Sequence, residues 1–400
     1  MKKSFIALAV LGAFASGAQA QTNVTIGGVI QGDLKSYKVG GISGVNAAAG
    51  RQGNNELRVD DDYTSRFWLT GSEDLGGGNA AIFYIENRFS TDQRQSTGLA
   101  DGAGLGDGNT YVGLKGAWGQ FTVGKHTMMA GEGAATEYGI TGVQALPSSS
   151  LATNTILNYV GNRTITNSRV VNSILYQTPK FSGFGAAFGY SPNAGANENT
   201  INNTNNYSEG SAYFLKGNYT NGPIYVNLAY WNNKTQGRPV TINANGSNAD
   251  QTQFRLSGSY AFPFGLKVGL QYDRATLKDL GRTAVLAGVD RSRNAWEIPI
   301  SYQFGANTIL FSYTKANDFS DMANTGAKLW TLGYDYALSK RTNIGVFFSK
   351  LDNDYNGTAG AAGNATLAYS PYKAGTSQNG SALLTGESGT IFAVSLKHIF

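Results

Sequence analysis

The chain has no cysteine and few prolines, 8 in 400 residues. An exported protein of this size without cysteine must be stabilised by something other than disulfides. After residue 20 there is no run of 18 apolar residues, which excludes a transmembrane helix. Membrane crossing by strands stays open, because a barrel strand needs only about 9–11 residues with one apolar face.

Concentrated positive charge is also missing. The formal net charge is +5, and it becomes +3 without Lys2 and Lys3, which belong to the predicted export signal described below. No Lys/Arg cluster stands out. Nucleic acid is therefore excluded as a partner. A catalytic dyad or triad needs histidine, and the only histidines are His126 and His398, neither of which has a second catalytic group at a plausible spacing. No enzyme activity, cofactor or metal is predicted.

The first 20 residues have the pattern of a secretory signal. Lys2 and Lys3 precede an apolar segment, and Ala18-Gln19-Ala20 forms a small-x-small cleavage site. A membrane anchor is the alternative, but the apolar segment is shorter than the ~20 residues that a spanning helix needs. We expect a signal peptide over 1–20 and one folded domain over 21–400.

Glycine and aromatic residues are abundant, with 53 Gly, 22 Tyr and 20 Phe, which favours strands and turns. The segment GLKVGLQYDRATL (265–277) places Leu266, Val268, Leu270 and Tyr272 on one face and mostly polar residues on the other. GPIYVNLAYW (222–231) alternates in the same way. Such alternation predicts strands that lie between two different environments.

The connections between these strands alternate between short and long. We count seven short turns, among them SEDLGGG (72–78) and FPFG (262–265), and eight longer polar stretches. Fifteen connections join sixteen strands. An even number of strands, joined alternately by short and long connections, is typical of an outer-membrane barrel. A soluble β-sandwich would also alternate, but it would bury aliphatic residues where this chain has Lys, Gln, Asp, Arg and Glu.

The last strand supports a closed barrel. In GTIFAVSLKHIF (389–400) the apolar residues Phe392, Val394, Leu396 and Phe400 share one face, and Lys397 falls on the other. Lipid cannot satisfy the amides of an open sheet edge, so this strand must pair with the first. We therefore predict an all-β, 16-stranded antiparallel transmembrane barrel with lipid outside and a wet lumen.

Several motifs along the chain resemble the general bacterial porins, especially those of β-proteobacterial outer membranes. They are Ser65-Arg66-Phe67, Gly71–Gly78, Ala81-x-Phe83-x-x-Glu86, Tyr111–Leu114, Phe121–Gly124, Ser339–Thr342 and Val394–Phe400. The resemblance implies a homotrimer of barrels with short periplasmic turns, long extracellular loops and a third loop folded inward. It also implies that the barrel-assembly machinery reads Phe400.

The sequence departs from the family pattern at several positions. Gln31 stands where the family usually has Asp, although Asp33 keeps an acid on the same face. Lys125 and His126 replace Arg-Gln after Gly124, and Leu175 occupies a place often taken by Arg. The basic wall implied by the family is therefore thinner here, which weakens the case for strong anion selectivity.

The inward loop should supply the acids of a constriction. The polar stretch 128–168 contains two acids, Glu132 and Glu137, and Thr136–Gly139 loosely resembles the family's Pro-Glu-Phe-Gly. Glu137, with Glu132, is the expected acidic side of the pore. The alternative is that both are solvated loop carboxylates.

The opposite, basic wall is predicted to be Arg66, Arg88 and Lys125. Arg66 and Arg88 alternate with apolar residues, and an Arg facing lipid at mid-depth costs about 2–4 kcal/mol, so both should face the lumen unless they lie at strand ends outside the bilayer. Lys125 faces inward only if the strand ends or bulges at Gly124. The other residues predicted to line the lumen are Asp33, Lys35, Tyr84, Glu86 and Tyr111.

Charged walls facing each other would make a size-limited sieve with modest charge preference for small hydrophilic solutes and ions. Outer-membrane lipid is the expected surrounding. Two alternatives remain open from the sequence: a substrate-specific channel that uses lumen tyrosines, and a receptor or adhesin that binds through its loops.

Overall fold

The computed structural model describes residues 23–40, 53–60, 65–89, 91, 106–129, 169–194, 210–234, 250–278, 289–354, 383 and 386–400. The named elements of these residues are all β-strands. They are β1 (Asn23–Gly40), β2 (Asn54–Asp60), β3 (Arg66–Gly76), β4 (Asn79–Arg88), β5 (Thr110–Gly116), β6 (Gly119–His126), β7 (Val170–Gln177), β8 (Phe184–Ser191), β9 (Ala212–Asn221), β10 (Ile224–Asn233), β11 (Asp250–Ala261), β12 (Leu266–Lys278), β13 (Arg291–Phe304), β14 (Asn307–Ala316), β15 (Ala327–Ala337), β16 (Thr342–Asn353) and β17 (Ser388–Ile399).

The seventeen segments fill sixteen positions of a closed antiparallel ring. Both β2 and β3 pair with β1 on the same side, with Asp60 opposite Asp33 and Arg66 opposite Val29, so they lie end to end as one interrupted strand. From β3 onward each strand pairs with the next in sequence. The predicted sixteen-stranded barrel is confirmed, and the break in its second strand was not anticipated.

The ring closes between β1 and β17, as predicted. Their register runs from Val29 opposite Ile399 to Gly40 opposite Ser388. Just beyond β17, the amide of Gly28 donates to the carbonyl of Phe400 at 3.1 Å, and the amide of Phe400 donates back at 3.0 Å. Pairing therefore continues to the last residue, and no edge of the ring is left open at the seam.

Side chains separate by strand face into two environments. On β17, Phe392 and Leu396 are exposed on the outside, whereas Ser395 and Lys397 on the other face are each only 2% exposed. The inner face of β12 likewise carries Gln271 and Asp273, and its outer face carries Leu270 and Tyr272, as predicted. The apolar face is therefore outside and the polar face inside, the reverse of a soluble protein.

Aromatic side chains gather on the barrel near its short turns. The ring pairs are Trp118–Tyr176, Phe184–Tyr219, Tyr260–Phe262, Phe262–Phe264 and Tyr302–Phe304, with centroids 4.5–6.5 Å apart. Rings of aromatic residues at the two water interfaces are characteristic of membrane barrels. Among the described residues, no helix is long and apolar enough to cross a membrane.

The third long connection turns into the barrel at its start. Met128 and Met129 follow β6 and are buried in one apolar cluster with Phe214 and Trp231 of the inner wall. The Nη1 of Arg255 on β11 donates to the carbonyl oxygen of Met129 at 3.3 Å. These contacts hold the beginning of the connection inside the barrel; residues 130–168 lie outside the described part of the chain.

Gly124 is the position where the β6 backbone departs from regular geometry. Its φ of 146° lies where side chains are rarely tolerated, and an added Cβ would lie 2.2 Å from the Thr110 carbonyl oxygen. The register against β7 shifts between Gly124 and His126, so the strand has an irregularity at the position where an inward-facing Lys125 would require one.

We expect Gly124→Ala to destabilise the folded barrel by about 1–3 kcal/mol, because the new Cβ meets backbone rather than a movable side chain. Gly32→Ala is the matched control, since a Cβ at Gly32 has no neighbour within 4 Å. The measurement is the guanidinium midpoint of unfolding in detergent. Equal midpoints for the two variants would contradict this account of Gly124.

Candidate functional site

One inner wall of the barrel carries a charged cluster centred on β4. Tyr84, Glu86 and Arg88 occupy alternate positions of β4, and the register with β3 places Arg66 opposite Arg88. Since alternate residues of a strand face the same side, these side chains share one patch of the lumen wall. Arg169, which directly precedes β7, joins them; we call Arg66, Arg88, Arg169 and Glu86 the β4 cluster.

The carboxylate of Glu86 organises this cluster. Its Oε1 accepts from Arg88 Nε at 2.8 Å and from Arg169 Nη2 at 3.3 Å, and its Oε2 accepts from the hydroxyl of Tyr84 at 3.3 Å. The guanidinium of Arg66 lies 6.0 Å from the ring centre of Trp68, at cation–π distance. Three guanidinium groups and one carboxylate leave an excess of positive charge on this wall.

A row of stacked rings lies beside the cluster. Tyr84 stacks on Tyr111 with centroids 5.5 Å apart, and Tyr111 stacks on His126 at 5.1 Å. His126 is buried, with Nε2 2.9 Å from the Thr122 hydroxyl and Nδ1 2.7 Å from the Ser173 hydroxyl. The stack and these hydroxyl contacts fix the end of β6, from which the third connection departs.

Two further predicted lumen residues lie on the inner face of β1. The Nζ of Lys35 is 3.2 Å from Oδ2 of Asp33, and both side chains are almost fully buried. The side-chain amide of Gln31 donates to both oxygens of Asp33. Gln31 and Asp33 thus share this face, as their spacing predicted.

Lys125, the third residue of the predicted basic wall, lies at the irregular end of β6. It pairs with Thr110 and has the parity of Phe121 and Val123, which are exposed on the outside, but it is itself partly buried at the bulge after Gly124. Its role in the wall stays a prediction. Glu132 and Glu137 lie outside the described residues.

A second charged cluster, which the sequence analysis did not single out, lies on β11, β12 and β13. Oδ2 of Asp273 accepts from Arg255 Nε and Oδ1 accepts from Arg293 Nη1, each at 2.9 Å. The side chains of all three residues are fully buried. Gln253 donates to Oδ2 of Asp273 at 2.8 Å. We call Arg255, Asp273 and Arg293 the β12 cluster.

The two clusters lie on opposite walls. Counting β2 and β3 as one position, β4 is the third strand of the ring and β12 the eleventh, which is half of sixteen away. Both strands follow a short turn, and Glu86 and Asp273 are each the eighth residue of their strand. The two carboxylates therefore lie at a similar distance along the strand from the short turns. Arg255 and Asp273 lie on the inner faces of β11 and β12, and the register between these strands sets them directly opposite each other.

Buried polar groups form a row next to the β12 cluster, on its side nearer the short turns. Ser257, Gln271, Glu297 and Thr314 are direct neighbours across β11 to β14. Each is buried and has a side-chain oxygen or nitrogen without a hydrogen-bond partner in the described protein. Such groups are costly unless water satisfies them, so this row favours a hydrated interior. Within the described ranges, no cluster of three His, Cys, Asp or Glu side chains could hold a metal ion.

The closed barrel, with its apolar outer face, polar inner face and charged inner walls, is matched by a known protein family. The family model described as Gram-negative porin matches residues 7–358. The chain belongs to this porin family. An outer membrane porin protein of Bordetella pertussis is 29% identical over 391 residues, covering 88% of this chain and 95% of that protein. Outer membrane porin protein 32 of Delftia acidovorans is 28% identical, and the match covers 100% of both chains.

Solved structures agree on the fold. An anion-selective porin from Comamonas acidovorans superposes with a TM-score of 0.68 at 23% identity, covering 95% of this chain and 100% of that chain. The trimer form of OmpT from Vibrio cholerae gives a TM-score of 0.61 at 15% identity, covering 95% and 99%. The protein is thus a porin of the outer membrane, a water-filled channel through which small hydrophilic solutes and ions diffuse passively.

We expect Asp273→Asn to destabilise the porin by about 3–5 kcal/mol, because it leaves two buried guanidinium groups without their shared anion. The control is Asp352→Asn, which removes an ion pair between Lys350 Nζ and Asp352 Oδ1, 3.1 Å apart. The side chains of Lys350 and Asp352 are 39% and 44% exposed. Exposed pairs contribute about 0–1 kcal/mol. The readout is again the unfolding midpoint in detergent, and similar losses in both variants would refute a structural role for the β12 cluster.

Proposed function

We propose that the two charged clusters face each other across the pore and give it a modest preference for anions. The observation that supports this is their composition: they contain five arginines and two carboxylates, and four of the arginines form ion pairs with Glu86 or Asp273. The similarity to a porin whose title calls it anion-selective points the same way. Solutes pass by diffusion and are selected mainly by size.

The preference stays modest for electrostatic reasons. A wall charge about 8 Å from a passing ion in water-like surroundings contributes roughly 0.5 kcal/mol before salt screening. Two carboxylates already offset part of the positive charge. Glu132 and Glu137, which we propose for the acidic side of the constriction, would offset more. Lys125 is proposed as a further basic member of the wall, beside the three arginines of the β4 cluster.

The double variant Arg66→Gln/Arg88→Gln should lower the chloride-to-potassium permeability ratio by about two- to sixfold, since two lumen charges are lost. The measurement is the reversal potential of the purified porin in a planar bilayer across a salt gradient. Lys328→Gln is the control, because Lys328 is exposed on the outer face of β15. An unchanged ratio in the double variant would remove these arginines from the selective wall.

Glu137→Gln tests the proposed acid of the third loop. Removing a negative charge from the constriction should raise the chloride-to-potassium ratio about twofold in the same reversal-potential experiment. Gln replaces Glu with little change in volume, so the pore size should stay the same. If the ratio does not move, Glu137 is a solvated loop carboxylate.

We further propose that the porin has no catalytic site. Both ring nitrogens of His126 are engaged by the Thr122 and Ser173 hydroxyls, which leaves neither to be oriented by a carboxylate. His398 is exposed on the outer face, within hydrogen-bond distance of Thr342. Hydrolase assays of the purified porin in detergent should therefore give no turnover above background.

For assembly we propose removal of residues 1–20 on export, recognition of Phe400 by the barrel-assembly machinery, and a homotrimer in outer-membrane lipid. Phe400 is 42% exposed, and its main chain completes the seam with Gly28. The trimer form of the Vibrio cholerae neighbour supports the oligomeric state.

A further inference from the structure

A cavity of about 370 Å³ lies against the inner wall formed by β7, β8, β9 and β10. It extends from Thr127, at the start of the third connection, toward the short turn that contains Lys180. This volume falls at the lower end of the range for small-molecule sites, about 300–1,000 Å³. None of the residues of the β4 or β12 cluster lines it.

Small residues on β8 create the cavity. Its inner-facing Gly185 and Ala187 add almost no side-chain volume, while the flanking strands present longer side chains. The register aligns Gln177, Ala187 and Lys216 in one row across β7, β8 and β9. A groove one strand wide therefore runs along β8, walled by Gln177 on one side and Lys216 on the other.

The lining has an apolar end and a basic end. Leu175 and Phe214 lie one inner-facing position nearer the third connection, and Phe214 is only 2% exposed. Toward the short turn the lining is polar and includes Lys180, Lys216 and Asn218. The described residues that line the cavity include two lysines and no carboxylate.

We propose that this cavity is a weak binding site for small carboxylates with an apolar or aromatic tail, of which benzoate is the simplest probe. The carboxylate would lie toward the two lysines and the amides of Gln177 and Asn218, and the ring toward Leu175 and Phe214. The proposal rests on the anion passage proposed above, but it names a site away from both charged clusters.

The apolar end predicts an order of affinity. Acetate carries the same charge as benzoate but has no ring to bury at the apolar end, where Leu175 is the accessible side chain. Burying about 55 Å² of ring surface at ~25 cal/mol per Å² corresponds to about tenfold tighter binding of benzoate. A pore that selected by charge alone would treat the two ions alike apart from size.

The experiment measures chloride current through single channels of the purified porin in planar bilayers while benzoate is added in steps. Benzoate should reduce the current to a plateau, and acetate should need about ten times the concentration. Lys216→Gln should raise the half-saturating benzoate concentration at least tenfold. Lys267→Gln is the matched control, because Lys267 occupies the inner face of β12 and is partly buried but does not line the cavity.

Leu175→Gln tests the apolar end of the site separately from the basic end. It should weaken the binding of benzoate several-fold and leave the binding of acetate unchanged. Retention of the heat-resistant folded form on gels checks that each variant has folded. Benzoate that reduces current without saturation, or equal losses in Lys216→Gln and Lys267→Gln, would overturn the proposed site. The reversal potential in chloride salts tests the anion preference separately, so either proposal can fail while the other stands.

Discussion

The hydrogen-bonding demand of the backbone is the constraint on which this structure depends. In lipid an unpaired amide or carbonyl costs several kcal/mol, so a sheet that crosses a membrane must leave no edge. Here the demand is met by pairing from Val29 opposite Ile399 onward and by the two main-chain bonds between Gly28 and Phe400. Every other feature of the pore follows from a ring that closes on itself.

Closure places each strand between lipid and water, and this determines the side-chain pattern. A residue and its neighbour face opposite solvents, so Leu270 is exposed outside while Gln271 and Asp273 are buried inside. Charged side chains that would destabilise the core of a soluble protein are tolerated on the inner wall, because water and opposite charges are near. The same alternation that satisfies the membrane therefore supplies the polar lining of the channel.

Alternation is also the part of the architecture that the sequence could predict. The faces of β10, β12 and β17 and the count of sixteen positions follow from spacing and turn residues within single segments. The interruption between β2 and β3, the approach of Arg169 to Glu86 and the meeting of Arg255, Asp273 and Arg293 depend on register between strands. Register is a property of pairs of strands, and one strand's sequence does not contain it.

The charged clusters also show why the number of arginines overstates the strength of the selectivity. Asp273 is needed to hold Arg255 and Arg293 in a buried position, and Arg255 in turn holds the carbonyl of Met129, where the third connection enters the barrel. Much of the lumen charge is thus committed to structure. What a passing ion meets is the small excess left after pairing, together with the distance and screening between wall and ion. A porin of this kind can consequently carry many inner arginines and still discriminate only weakly between ions.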